Sequence, residues 1–211
     1  MAKFFNPYII LIFPILTACG QTKSSGETSH AKSNADSVQK VLDNNTNDYH
    51  PVFEKANPKA QALLRDSFFF SPIEETAPFG SDDGADAYAG FKDWRKIHPS
   101  ESTVDFVKSE IGYWKYPTFD LNETDFSKLK PFIESNELNI QFVKGTDEAI
   151  VATAFGELYL EGKIDTDIRM LAKNAIKRES LSQILKMWGK YAKEREQKLQ
   201  KLLLVLNAPG I

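Results

Sequence analysis

Apolar positions divide this chain into three stretches. A short unbroken apolar run covers residues 8–16. From Gly20 to Asp48 apolar side chains nearly vanish. From Tyr49 to Ile211 they return, mostly at helical spacing. In that last stretch Asn57 and Pro58 open a predicted helix to about Phe69, with Asn57 as cap and Pro58 in the first turn. Ala60, Leu63, Leu64 and Ser67 follow its period. A second helix, Asp86–Ile97, carries Tyr88, Phe91 and Trp94, and His98-Pro99 ends it. A third covers Thr103–Trp114, capped by Ser102 or Thr103, with Val104, Val107, Ile111 and Trp114 on one stripe.

The pattern continues in the C-terminal half. Asp125–Glu134 reads as a short helix interrupted by Pro131. Asp147–Leu160 carries Ile150, Val151, Ala154, Phe155 and Leu158, with Gly162 as its stop. A helix from Asp165 or Thr166 carries Ile168, Leu171, Ala172, Ala175 and Ile176. Two amphipathic segments, Ser180–Trp188 and Lys190–Leu206, finish the chain. Lys193, Glu194, Arg195, Glu196 and Lys198 read as the solvated face of the last. Residues 138–143 alternate apolar and polar like a strand. The fold class expected is mainly α: one compact domain of about seven or eight helices, with room for one short β ribbon.

Composition supports a single core. The chain has 211 residues, 42% apolar, which is enough for one ordinary domain. With 26 Lys plus Arg against 29 Asp plus Glu, the net charge of −3 argues against a nucleic-acid partner. One cysteine excludes an internal disulfide and a thiolate-rich zinc site.

That cysteine ends the first stretch. Lys3 precedes the apolar run, which contains Pro14 and is too short to span a bilayer, so it reads as a signal sequence. Leu16-Thr17-Ala18-Cys19 resembles the lipobox of bacterial lipoproteins. The resemblance implies cleavage between Ala18 and Cys19, a diacylglyceryl group on the Cys19 sulfur, and a membrane partner reached through acyl chains. Two or three chains hold stably where one does not. Gly20, rather than Asp, permits delivery to the outer membrane in a Gram-negative cell. Loss of residues 1–18 removes Lys3 and leaves a charge of −4, so lipid rather than net basic charge must provide the anchor. The expected division is therefore 1–18 signal peptide, 19–48 acylated Cys and polar tether, and 49–211 globular domain. The tether has five Ser, three Thr, four Asn and no aromatic residue, too little apolar surface to offset its ordering entropy.

Candidate chemistry is sparse. Asp82, Asp83 and Asp86 fall within five residues, at a loop marked by Gly80 and Gly84. They could offer oxygen ligands to a hard cation such as Ca²⁺, or serve a helix start, with Asp82 or Asp83 capping and Asp86 in the first turn. Arg95 is placed to pair with Asp82 or Asp83. Glu74 and Glu75 could act as an acid and base pair. His30, His50 and His98 are too scattered to argue for zinc, and neither a nucleophile elbow nor a phosphate loop occurs. No cofactor is implied.

The run Pro78-Phe79-Gly80-Ser81-Asp82-Asp83-Gly84-Ala85-Asp86, followed by Phe91 to Arg95, resembles the bacterial YfeS-like proteins, related to the MolR-like proteins. A looser similarity runs through Ala149 to Ile164. The resemblance spans most of residues 57–206 and implies a small, mainly helical domain with no assigned activity. Two functional readings follow. One is a lipid-tethered binding or interaction module with a protein partner, immunity to a secreted toxin being one form. The other is a metal-dependent or carboxylate-based enzyme using Asp82, Asp83 and Asp86.

Overall fold

The computed structural model describes residues 50–211. The signal sequence, Cys19, the tether and His30 lie outside the described residues. Within them the chain is all-helical, with seven α-helices of six residues or more and one single turn, and no strand. We label these α1 (Pro58–Leu63), α2 (Asp82–Ile97), α3 (Thr103–Tyr113), α4 (Phe126–Glu134), α5 (Asn139–Glu161), α6 (Thr166–Glu179), α7 (Ser182–Leu185) and α8 (Ala192–Leu206). No described helix is long and apolar enough to cross a membrane.

The architecture is built around α5. Its 23 residues extend about 34 Å at 1.5 Å per residue. It packs most extensively on α2, then on α6, with α3 and α4 on its remaining flanks. Sixteen of its residues are buried, so it has no solvent stripe of the kind that marks a surface helix. Ala149, Ala152 and Ala154 let neighbouring backbones close in, while Ile150, Phe155 and Leu158 fill the space between them. Gly145 is a point of close approach: a Cβ there would meet Asp83 Oδ2 at 2.5 Å and Tyr116 Cε2 at 2.9 Å. Gly162 ends the helix at φ 71°, in the left-handed region where glycine is favoured, and a Cβ there would strike Asn57 Oδ1 at 2.3 Å.

Several expectations change. Residues 139–143 form the first turns of α5, not a strand, so no β ribbon forms. The alternation misleads because the positions facing inward include Asn139, Thr146 and Asp147, polar residues that break the apolar period. Asn139 is held by its own amide, which donates to Phe132 O at 2.7 Å and to Ser135 Oγ at 2.9 Å at the end of α4. Helix α4 itself continues through Pro131. Helix α1 stops at Leu63 rather than Phe69. Asp66 accepts from Phe68 N at 3.0 Å and starts a 3₁₀ turn, Ser67–Phe70, instead. That turn delivers Phe69 to stack on Phe155, with centroids 6.0 Å apart.

The C-terminal segments also differ. After the single turn α7, a 3₁₀ segment, Lys186–Tyr191, is broken at Gly189 (φ 52°, ψ −121°) before α8 begins. Arg195 does not belong to a solvated face. It is 3% exposed, stacked 3.7 Å over the Trp188 ring.

A candidate ligand cavity

The acidic turn acts mainly as a helix start. The cap is Ser81, not Asp82 or Asp83: its Oγ accepts from Gly84 N at 3.1 Å. Helix α2 therefore begins at Asp82, which places Asp82 and Asp83 in its first turn and Asp86 in the second. Asp82 and Asp86 are exposed. Asp83 Oδ1 accepts from the Tyr116 hydroxyl at 2.6 Å. Burial and the Asp83 carboxylate together push the Tyr116 phenol upward. Among the described residues no group of three or more His, Cys, Asp and Glu side chains could hold a metal ion. Glu74 meets Lys198 at 2.6 Å and Glu75 meets Lys144 at 3.4 Å, so each is tied to a lysine. His50 contacts Phe70 O at 2.9 Å, and His98 contacts Glu101 at 2.8 Å.

Arg95 turns away from the aspartates. It reaches Glu157 at 2.9 Å and Glu161 at 2.8 Å, both on α5, and also donates to the Thr103 hydroxyl. This is one of three arginine-to-α5 arrangements. Arg195 of α8 pairs with Glu179 and lies 3.7 Å from Glu148. Arg178 of α6 pairs with Asp147 at 2.5 Å, and both are essentially unexposed. The central helix thus carries buried carboxylates, each answered by a guanidinium from a neighbouring helix. Planar, always-charged guanidinium suits such sites. Desolvation pushes the Asp147 carboxyl up to about 7, against the pull of Arg178. Burial and the Glu179 charge push Glu148 up to about 8, with Lys144 and Arg195 opposing.

The Arg178–Asp147 pair shapes a cavity. Beyond Asp147, Arg178 Nη1 donates to Leu121 O at 2.6 Å and to Glu123 O at 3.0 Å, and its guanidinium lies 5.3 Å from the Phe119 ring centre. Those contacts fix the segment between α3 and α4 as a wall. Between that wall, α3 and α6 lies a cavity of about 680 Å³, within the range that accepts small organic ligands. Its apolar lining includes Ile111, Phe119, Leu121 and Met170. Lys108, Asp120 and Asp167 stand exposed at its edge.

Its floor includes Thr146, 1% exposed, whose hydroxyl has no hydrogen-bond partner among the described residues. The contrast with Thr153 on the same helix is direct: Thr153 Oγ1 donates to Ala149 O at 2.8 Å, the usual refuge of a helical threonine. A buried hydroxyl without a partner is costly, and a ligand atom that bonds it recovers that cost.

Part of the chain resembles one uncharacterised bacterial protein. Over 138 residues it is 28% identical to the uncharacterised protein YfeS of Escherichia coli strain K12, covering 64% of this chain and 54% of that protein. The chain therefore spans about half the length of the curated relative it matches. No family model matches the sequence, and no solved structure matches the chain.

The sequence reading missed this cavity. Its lining comes from α3, α5, α6 and an irregular segment that are far apart in sequence, and no motif marks them. The one legible signal was Thr146 and Asp147 side by side within an otherwise apolar stretch.

Proposed function

We propose that this chain is a lipid-anchored cell-envelope protein, acylated at Cys19, whose helical domain is a binding module for a small, mostly apolar molecule carrying one hydrogen-bonding group. In a Gram-negative cell its place is the outer membrane. The observation that carries the binding reading is the 680 Å³ cavity itself, mostly apolar and lined in part by Thr146, whose buried hydroxyl has no partner among the described residues. Apolar walls supply affinity, and one buried polar group supplies orientation, the usual division in ligand pockets. No observation draws Asp82, Asp83 and Asp86 towards the cavity, so the enzyme reading gains no support.

The test uses N-phenyl-1-naphthylamine, a neutral aromatic amine that brightens in apolar surroundings. The parent chain binds it with a saturable rise in fluorescence. Thr146→Val, which keeps the shape and removes the hydroxyl, weakens binding several-fold, in line with about 1 kcal/mol for one hydrogen bond. The same change stabilises the ligand-free domain, because it deletes an unsatisfied group. Unaltered binding together with unaltered stability would remove the basis for the proposal.

A further inference from the structure

The segment joining α7 to α8, with the first two residues of α8, reads Lys186-Met187-Trp188-Gly189-Lys190-Tyr191-Ala192-Lys193. Three of its eight residues are lysine and none is acidic. Met187 is 50% exposed and Tyr191 55% exposed. Ile73, 87% exposed, lines the same groove as Trp188 and Tyr191. Large apolar side chains in water at this density call for a partner surface.

The charge pattern selects the partner. Lys186, Lys190 and Lys193 make no ion pair with any described residue; Lys190 Nζ lies 4.9 Å over the Tyr191 ring. The nearby carboxylates Glu74, Glu75 and Glu194 are held by other lysines: Glu74 and Glu194 share Lys198 at 2.6 Å, and Glu75 shares Lys144 with Glu148, while Glu196 of α8 stands exposed. The stretch Lys186–Lys193 itself therefore carries three positive charges and no negative one, within a chain of net charge −3. Lysine beside tryptophan and tyrosine is the composition of the bilayer interface, where amphipathic rings sit among headgroups and lysine meets anionic lipid. The left-handed Gly189 kink prevents this segment from joining α8 as one regular helix. Arg195, stacked on the inner face of Trp188, gives the segment a fixed support.

We infer that Lys186–Lys193, with Ile73, is a membrane-docking surface for anionic phospholipid headgroups. It orients the domain on the bilayer; the acyl chains proposed at Cys19 would supply the anchor. The inference concerns a site separate from the cavity. It needs no acylation, so it can fail while the anchor reading stands.

The test is vesicle flotation of the full chain made by cell-free synthesis, hence unacylated. Vesicles are phosphatidylcholine alone or phosphatidylcholine mixed with phosphatidylglycerol. The N-terminal apolar run is the same in parent and variant, so the difference between them reports the docking surface. The parent partitions more strongly to the anionic vesicles, and high salt erases the preference. The double variant Lys190→Glu with Lys193→Glu lowers partition to anionic vesicles by about tenfold or more, as expected from roughly 1 kcal/mol per lysine near such a surface. Lys190→Gln with Lys193→Gln falls between the two. Matching circular dichroism and melting curves show that each variant is folded, and Tyr191→Ser serves as a second probe if a charge-reversal variant is not. An unchanged preference in the folded variants would overturn the inference. So would a parent that shows no preference for anionic lipid, as expected if the surface instead receives an acidic protein.

Discussion

Replacing Arg178 by methionine is the sharpest test of how the cavity wall is held. Arg178 is fully buried and bonds Asp147 through Nε and Nη2, while Nη1 holds the Leu121 and Glu123 carbonyls. Methionine fills most of the volume but strands the Asp147 carboxylate away from water. Breaking a buried pair from one side costs about 3–5 kcal/mol. The two carbonyls belong to half-buried residues that can turn towards solvent, so they add little. Adding Asp147→Asn removes the stranded charge and restores much of the loss, roughly 2 kcal/mol or more. The penalty of the single variant also depends on pH. Asp147 already has its folded carboxyl raised to about 7, and loss of Arg178 raises it further. A raised carboxyl binds its proton more tightly folded than unfolded, so stability falls as pH rises between the two values. The Arg178→Met penalty is therefore smaller near pH 5 than near pH 8. Urea unfolding followed by helical circular dichroism measures each step. A penalty below about 1 kcal/mol, the size of a surface pair, would refute the reasoning. So would a double variant no more stable than the single one.

Three further outcomes are expected. Glu148 has its carboxyl raised to about 8 by burial and the Glu179 charge, so ionising it weakens the fold as pH climbs from about 5 to 8. Glu148→Gln is accordingly more stable than the parent at pH 8, with the gap closing towards pH 5; pH-resolved melting curves that stay parallel would count against this. Gly112 lines the cavity, and a Cβ there meets nothing within 4 Å. Gly112→Phe should therefore abolish N-phenyl-1-naphthylamine binding in titration while leaving the domain as stable as the parent or more so, since glycine costs about 0.5–1 kcal/mol within a helix. Cys19→Ser should move the protein from the membrane fraction to the soluble or unprocessed pool without altering its fold, read by fractionation and mass spectrometry; an unchanged acylated membrane pool would contradict the proposed anchor.

The helices were legible where apolar spacing was regular and caps were standard. Asn57 accepts from Lys59 N, and Ser102 accepts from Val104 N, as their positions before apolar runs suggested. Helix α6 begins at Thr166, as its pattern indicated. Legibility failed where tertiary pairing replaced the local rule. Asn139, Thr146 and Asp147 look like surface residues until Arg178 and the end of α4 are present to receive two of them. Arg195 looked solvated because its neighbours Lys193, Glu194 and Glu196 are exposed, whereas its own partners come from Glu179 and Thr76. Arg95 was drawn to Asp82 and Asp83, the acidic turn that precedes it, but helix α5 brings Glu157 and Glu161 to it in space. The acidic turn was visible, and its role in starting a helix was one of the two readings it allowed. The cavity was not visible, because it is a property of four packed elements and of a hydroxyl that fails to find a partner.

The central claim is that the cavity floored by Thr146 binds a small, mostly apolar ligand. The most direct measurement is the map of backbone amide chemical-shift changes across the full chain during titration with N-phenyl-1-naphthylamine. The account predicts saturable shifts concentrated at Ile111, Phe119, Leu121, Thr146 and Met170, and their loss in Gly112→Phe. Shifts that are absent, that never saturate, or that cluster away from these residues would contradict it.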